Sequence, residues 1–498
     1  MIRQLLPGLK LFSTPDGHPY ATCKLKSGIL TFAIGSKRFE QLIQREYYQQ
    51  HNSTIKPDDL KAAMQAAKGE ALFGGNIHDV FVRIAYHDKK LFLDLGDPSG
   101  RVAVVNKQGW DILDQSPVPF VRGSNQKALP LPQRFKGDAN SIELLRPLIN
   151  VGSEDDWTLV VAWLIGTLLP EGGYPILVLQ GEQDSGKSST AKVLRSVIDP
   201  ATEGVRRLPG GAHNLMIAAQ HNHILPFDNL SGLSNTMSDV LCTLSTGVGF
   251  ATRELYTDAD EYIVKARRPL ILNGIDEIAR RPDLLSRSII IHLPRLKSRK
   301  TESEMAVELE KVLPRVLGGI LSAASIGLSR MGSVETTNLP RMADYSRFVI
   351  ACEPGLPWPK GAFIKVYQRN LLLAEAQQLE LDPLAGVLIQ FIEGRQRKDG
   401  IIFTGSPTEL LKKLHLLDTD PNPKRQAVPA TANWLMNKLK HLNPMLRSIH
   451  GIEVVQIDSL RSKNARVVFI REIQATANTQ SPMSSKTKLG MSATSTTT

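Results

Sequence analysis

The sequence predicts an α/β protein: a mostly parallel, doubly wound sheet in the middle of the chain, flanked by two smaller domains. Three observations carry this. Short apolar runs, PILVLQ, HILPF, PLILN and SIIIHL, alternate with helical stretches between residues 139 and 332, the pattern of strands joined by crossover helices. The first run enters a glycine loop of the form G-x-x-x-x-G-K-[ST] that opens a helix. Residues 384–472 then change grammar to helix, helix, helix and a two-stranded hairpin, the order of a winged helix-turn-helix.

Residues 1–135 read as an α+β domain. YATCKL and GILTFAIG form a strand pair around KSG, SKRFEQLIQREYYQQ is helical, and DVFVRIAYHDKKLFLDLGD holds two alternating strands around HDKK. The proline-rich LPLPQR marks a boundary. Residues 139–332 form the sheet domain and residues 333–382 a helical connector with a PGLPWPKG loop. In the winged-helix domain, SPTELLKKLHLL starts with Ser406 as N-cap, Pro407 at the first helical position and Glu409 completing a capping box. Residues 473–498 are polar and of low complexity, the composition of a disordered tail.

The chain of 498 residues, 42% hydrophobic and 22% charged, has the composition of a soluble globular protein. Of its net charge of +11, most lies late: from residue 394 onward 16 Lys/Arg stand against 7 Asp/Glu. That bias favours a polyanionic partner; a solvated, solubilising surface is the alternative. Cys23, Cys242 and Cys352 are widely spaced and form no metal pattern, which suits a reducing cytoplasm. The apolar stretch at 157–170 is too short to span a membrane, and the N-terminus lacks the pattern of a signal peptide. A cytoplasmic protein without a membrane partner is expected.

The loop is the strongest chemical signal. Gly181, Glu182, Gln183, Asp184, Ser185, Gly186, Lys187, Ser188 and Ser189 form it. The glycines let backbone N–H groups approach phosphate oxygens, and the helix that follows points its positive end at them. Lys187 is placed to reach β- and γ-phosphates, and the Ser188 hydroxyl to ligate Mg2+. ATP or another nucleoside triphosphate with Mg2+ is therefore expected. Asp228, at the end of HILPF, is the expected magnesium acid. Its neighbour Asn229 stands where a second acid would take a proton from water, and an amide cannot. Pro226 inside that strand predicts a short or bulged strand. Asn273, at the tip of PLILN, is placed to orient water beside the γ-phosphate; a turn-forming Asn-Gly pair is the alternative.

With GEQDSGKSS, FDNLS, LCTLSTGVGFATRELYTDADE, RPLILNGI and RPDLLSRSIIIHLP in this order, the chain resembles the ATPase module of phage and mobile-element primase-helicases, relatives of the superfamily 3 helicases in the AAA+ class. The resemblance spans roughly residues 10–472. It implies a P-loop AAA+-type core, a homo-hexameric ring, ATP hydrolysis and movement on single-stranded or forked DNA. A separate primase is a possible partner, since no primase-polymerase domain precedes the module. Arg280, Arg281 and Arg287 lie where ring ATPases place an arginine that reaches the neighbouring subunit's γ-phosphate; Arg287, where the helix hands over to the next strand, is favoured, with Arg281 next and a surface salt bridge as the alternative.

The resemblance also places a DNA-tracking hairpin at GFATRELY and EYIVKA. Arg253 and Lys265 are its expected phosphate contacts and Tyr256 a base-stacking group, although its tip carries Asp258 and Asp260. In the winged helix, TANWLMNKLKHL is the expected recognition helix with Lys438 and Lys440 facing out, and Arg461, Lys463 and Arg466 of the wing are expected to meet phosphate; a protein-docking module is the alternative. Three functions follow: an ATP-driven DNA helicase or translocase in replication, an ATP-switched DNA-binding or loading protein without unwinding, and, ranked below both, a small-molecule kinase.

Overall fold

A computed structural model describes residues 1–25, 28–135, 138–247, 250–253, 261–264, 266–274, 278–279, 281–396, 400–419, 426–458 and 466–473. Packing divides the chain into two compact units, Met1–Ala374 and Glu375–Thr498.

The first unit begins with an antiparallel sheet of Lys10–Ser13, Pro19–Leu25 and Gly28–Ala33. Alternation sends Leu11, Ala21, Cys23 and Phe32 to one face. Helices Lys37–His51 and Pro57–Phe73 cover that face with Phe39, Ile43 and Leu60. Ser36 caps the first of these helices by accepting from Phe39 N. A second antiparallel sheet runs in sequence order through Ile84–His87, Lys90–Asp94, Val102–Asn106 and Gly109–Leu113. Its first turn places both Asp88 and Lys89 at positive φ, the backbone of a tight hairpin turn.

The middle of the chain forms a four-stranded parallel sheet in the order Ser288–His292, Ile176–Gln180, Leu270–Gly274, Leu225–Leu230. The two inner strands are buried along their whole length, as parallel strands covered on both faces must be. That double burial is why they read as unbroken apolar runs. Helix Glu302–Arg330 starts at a capping box of Thr301 and Glu304 and supplies Val316, Leu317, Ile320 and Leu321 to the main core. The same core takes Leu91 and Trp110 from the second sheet, Leu177 and Leu179 from the parallel sheet, and Phe348 and Tyr367 from the later helices. Among the described residues, one helical stretch, Glu302–Ser333, is long and apolar enough to cross a membrane; 67% of its apolar window is buried inside the protein.

The strand expected to suffer from Pro226 departs from expectation in where its irregularity falls. Pro226 keeps register with Ile271, and the shift comes after Phe227, so that Leu230 pairs with Gly274. The strand lies at the sheet edge, where proline is tolerated. Pro226 O accepts from Arg206 N on the outer side, so its missing N–H faces away from the ladder with Leu270–Gly274. Asp228 is therefore not the end of the strand, which continues to Leu230; it sits with Asn229 in the bulge.

The second unit orders its elements as helix Pro383–Glu393, strand Ile401–Gly405, helix Pro407–His415, helix Ala432–His450 and strands Ile452–Asp458 and Arg466–Glu472. Its antiparallel sheet has Arg466–Glu472 in the middle. Ser406 and Glu409 form the capping box read from the sequence, with Pro407 in the first turn. Helix Ala432–His450 is longer than TANWLMNKLKHL and runs through Pro444. Asn443 beside it exchanges two hydrogen bonds with the backbone of Val454 in the next strand.

Candidate active site

The loop at 181–189 links strand Ile176–Gln180 to helix Lys187–Ile198 at the carboxyl end of the parallel sheet. Gly181 is at φ +152°, and a Cβ there would lie 2.6 Å from the carbonyl oxygen of Leu293. Gly186, at φ +80°, is the left-handed residue from which the helix springs. Asp184 also takes a left-handed backbone, at φ +66°, and its carboxylate pairs with Arg299 at 2.7 Å.

The loop floors a cleft of about 1020 Å³ whose lining includes Lys187, Ser188, Asp228, Asn229, Asn273 and Arg299. The Lys187 ammonium donates to Gly181 O at 2.8 Å, Glu182 O at 2.7 Å and Ser185 Oγ at 3.3 Å. Burial holds it below the ordinary lysine range, with Asp228 and Asp184 pulling the other way. Asn273 is buried and aims its amide at Ser188 Oγ, 3.5 Å away. Asp228 Oδ1 accepts from the backbone of Asn229, which stands at φ +57°. Asparagine is among the few side chains that tolerate that conformation, so the bulge itself accounts for an amide at this position.

Two groups that sequence reading missed hold the loop. Asn150 donates its side-chain amide to Ser185 O at 2.8 Å and to Pro294 O at 2.5 Å. Leu296 N donates to Asp184 O at 3.1 Å. Together with Arg299 they tie the loop to the segment following strand Ser288–His292. Neither residue lies near the glycine motif in sequence; the signal available was the basic run RLKSRK just after SIIIHLP.

Behind the loop, Asp199 is a buried hub. Its carboxylate accepts from Arg83 Nε at 3.1 Å, His223 N at 2.8 Å and Ile224 N at 3.0 Å. Burial works against the charged form of Asp199, but Arg83, His223 and Arg195 hold its pKa below the usual carboxylate value. The hub fixes the end of the loop helix against the segment entering the Asp228 strand.

Arg287 lies at the opposite end of the sheet. Its carbonyl accepts from Ile176 N at 2.9 Å, where the loop strand begins, and its guanidinium pairs with Asp283 at 2.5 Å. Arg341 meets the same carboxylate at 2.7 Å, and Arg281 pairs with Asp239 at 2.5 Å. Arg280 is outside the described residues.

Of the expected DNA contacts, Arg253 closes strand Phe250–Arg253, which pairs antiparallel with Glu261–Val264; its side chain is not described. Tyr256, Asp258, Asp260, Lys265, Arg461 and Lys463 lie outside the described residues, and Arg466 is described in its backbone alone, opposite Asp458. Lys440 is exposed as expected. Lys438 is half-buried, its ammonium 5.6 Å from the ring centre of the exposed Trp434.

Chemically, the cleft offers what a phosphate chain and a hard cation require: backbone N–H groups at a helix start, an ammonium, a hydroxyl and a carboxylate. Among the described residues, no group of three or more His, Cys, Asp or Glu could hold a metal by itself. A hard ion here would rest on Ser188, Asp228, the phosphates and water.

Residues 142–354 match the family model of the actinomycete integrative conjugative element replication protein, and residues 384–486 match that of the RepA C-terminal domain. The chain matches a mobile-element replication-protein family. The first match of this replication-protein family contains the whole cleft, and the second covers the helices and hairpin of the second unit. A comparison with curated proteins finds no match. Among solved structures, the apo C-terminal region of NrS-1 is similar at 11% identity and a TM-score of 0.38, over 94% of this chain and 97% of that one. The JCV helicase with a bound aryl acetamide is similar at 15% identity and a TM-score of 0.26, over 44% of this chain and 60% of that one.

Proposed function

We propose that this protein is an ATP-hydrolysing motor that acts on DNA during replication of a mobile element. The observation that carries the reading is the meeting of Lys187, Ser188, Asp228 and Asn273 in one cleft, although they lie up to 86 residues apart in sequence. Lys187 would leave its own loop carbonyls for the β- and γ-phosphates. Ser188 and Asp228 would hold Mg2+, and Asn273 would orient water. Asn229 cannot serve as a base, so catalysis would rest on positioning and charge neutralisation, as phosphoryl transfer allows. Arg287 would serve a neighbour's cleft within a homo-hexameric, AAA+-type ring.

DNA is the partner supported by the replication-protein match and by the basic C-terminal part. The second unit would bind it as a winged helix, with Lys438, Lys440 and the wing residues on phosphate. Priming would fall to a separate primase.

The deciding measurement is hydrolysis with and without single-stranded DNA, together with displacement of a strand from a fork. DNA-stimulated turnover with displacement is expected. Slow, DNA-independent turnover without displacement would replace this reading with a nucleotide-switched loading protein.

A further inference from the structure

A second cleft, of about 620 Å³, lies in the first unit before the nucleotide loop. Its floor is the face of the first sheet that the two helices leave uncovered. Alternation and register place Lys10, Thr22, Lys24 and Thr31 on that face: Lys10 pairs with Thr22, Thr22 with Thr31, and Lys24 lies two residues further along the same strand. Thr22 and Thr31 hydroxyls meet at 2.9 Å, leaving oxygen and proton positions for a ligand. The opposite wall carries Ser116, Phe120 and Arg122.

The charges on this cleft are one-sided. Arg3, Lys10, Lys24 and Arg122 line it against a single carboxylate, Asp94. That carboxylate is buried and already gripped by Arg122 through two hydrogen bonds of 2.9 and 2.7 Å. Arg3 is engaged by Glu70 outside the cleft. Lys10 and Lys24 are exposed and have no hydrogen-bond or ion-pair partner among the described residues. As diagonal cross-strand neighbours they stand roughly 7–8 Å apart.

We propose that this cleft holds the phosphate backbone of a single DNA strand, with Lys10 and Lys24 on successive phosphates. A small anion gripped for its own sake calls for buried cations; exposed lysines over a hydroxyl-bearing floor suit a strand held loosely and released by salt. The volume is that of a small-ligand site, far too small for a duplex, and admits only a few nucleotides. The inference goes beyond the proposed motor activity and does not depend on the nucleotide cleft.

The test uses the full chain and a fluorescent oligothymidylate, with anisotropy measured across salt concentrations. For Lys10→Glu/Lys24→Glu, affinity should fall at least tenfold, and the slope of log affinity against log salt should shrink by about 1.4, the loss of two phosphate contacts. Hydrolysis without DNA should be unchanged. A wild-type protein that binds the oligonucleotide with a double variant of equal affinity and slope overturns this inference alone; a wild type that binds no DNA overturns the DNA partner as well. A 4-thiothymidine oligonucleotide, which needs no variant, should photo-cross-link to wild-type peptides within residues 8–31. Cross-links confined to other regions, or inorganic phosphate displacing the strand at concentrations that leave ionic strength unchanged, would overturn it.

Discussion

Asn150 binds the carbonyl oxygen of Ser185 from outside the loop, and with the same amide it binds Pro294. Both bonds use Asn150 as donor. Asn150→Asp keeps the size and removes the donors, so it should raise the KM for nucleotide about tenfold, more than Asn150→Ser does, with a smaller change in kcat. Unfavourable carboxylate–carbonyl contacts are worth this order of effect. Titration of both variants with nucleotide checks it; equal KM values for Asp and wild type would show that the loop holds its shape without this residue.

The left-handed backbone of Asn229 separates two explanations of its amide. Asn229→Gly should leave stability nearly unchanged, whereas Asn229→Val should cost about 1–2 kcal/mol by thermal or urea unfolding. Asn229→Asp fits the conformation better than Asn229→Glu. If a carboxylate here speeds turnover, the aspartate variant should be the faster of the two. A glutamate variant that is faster than the aspartate one would mean that the bulge has rearranged.

Arg287 stands at the far end of the loop strand, five residues or about 16 Å from its own loop. It does not reach its own cleft, and in the proposed ring it would serve a neighbour's. Lys187→Ala and Arg287→Ala should each abolish hydrolysis, the second while sparing nucleotide binding. Mixed one to one, the two dead proteins should recover measurable turnover, because some interfaces then combine an intact loop with an intact arginine. Normal hydrolysis by Arg287→Ala would move the role to Arg281, and a mixture as inactive as its components would reject action across an interface.

Much of this architecture was legible because burial leaves a pattern. The parallel strands read as continuous apolar runs, and Ser406, Pro407 and Glu409 announced their helix. What escaped was set by contacts distant in sequence. Asn150 reaches Ser185 over 35 residues and Pro294 over 144, and no local spacing encodes such a bond. The bulge was misplaced because Pro226 drew attention to its missing N–H, whereas the fold turned that side away from the ladder. Lys438, read as facing out, is half-buried beside the exposed Trp434, with its ammonium 5.6 Å from that ring's centre.

His223 gives the fold an acid-sensitive point. Burial lowers its pKa to about 4, with Asp199 opposing, and the ring bonds Thr167 O at 2.9 Å. The folded pKa lies below the unfolded value of about 6.5. The unfolded chain therefore takes up its proton first, and stability is full above that value and declines as pH falls toward 4. The loss should approach roughly 3 kcal/mol. Urea unfolding at pH 7, 5.5 and 4.5 measures it. His223→Gln, which retains a donor for Thr167, should flatten the pH 7 to 4.5 decline; an unchanged decline would assign the sensitivity to another group.

The edge strand Leu225–Leu230 has one more consequence. A free strand edge is a template on which another chain can add a strand. Here Pro226 offers no donor outward, Arg206 already occupies the adjoining acceptor and donor, and the Asp228–Asn229 bulge breaks the repeat. The sheet therefore cannot grow across this edge into a continuous sheet shared between copies. In the proposed ring, copies would not be joined through this edge by a backbone ladder, and contacts made there would be side-chain contacts that can separate and re-engage.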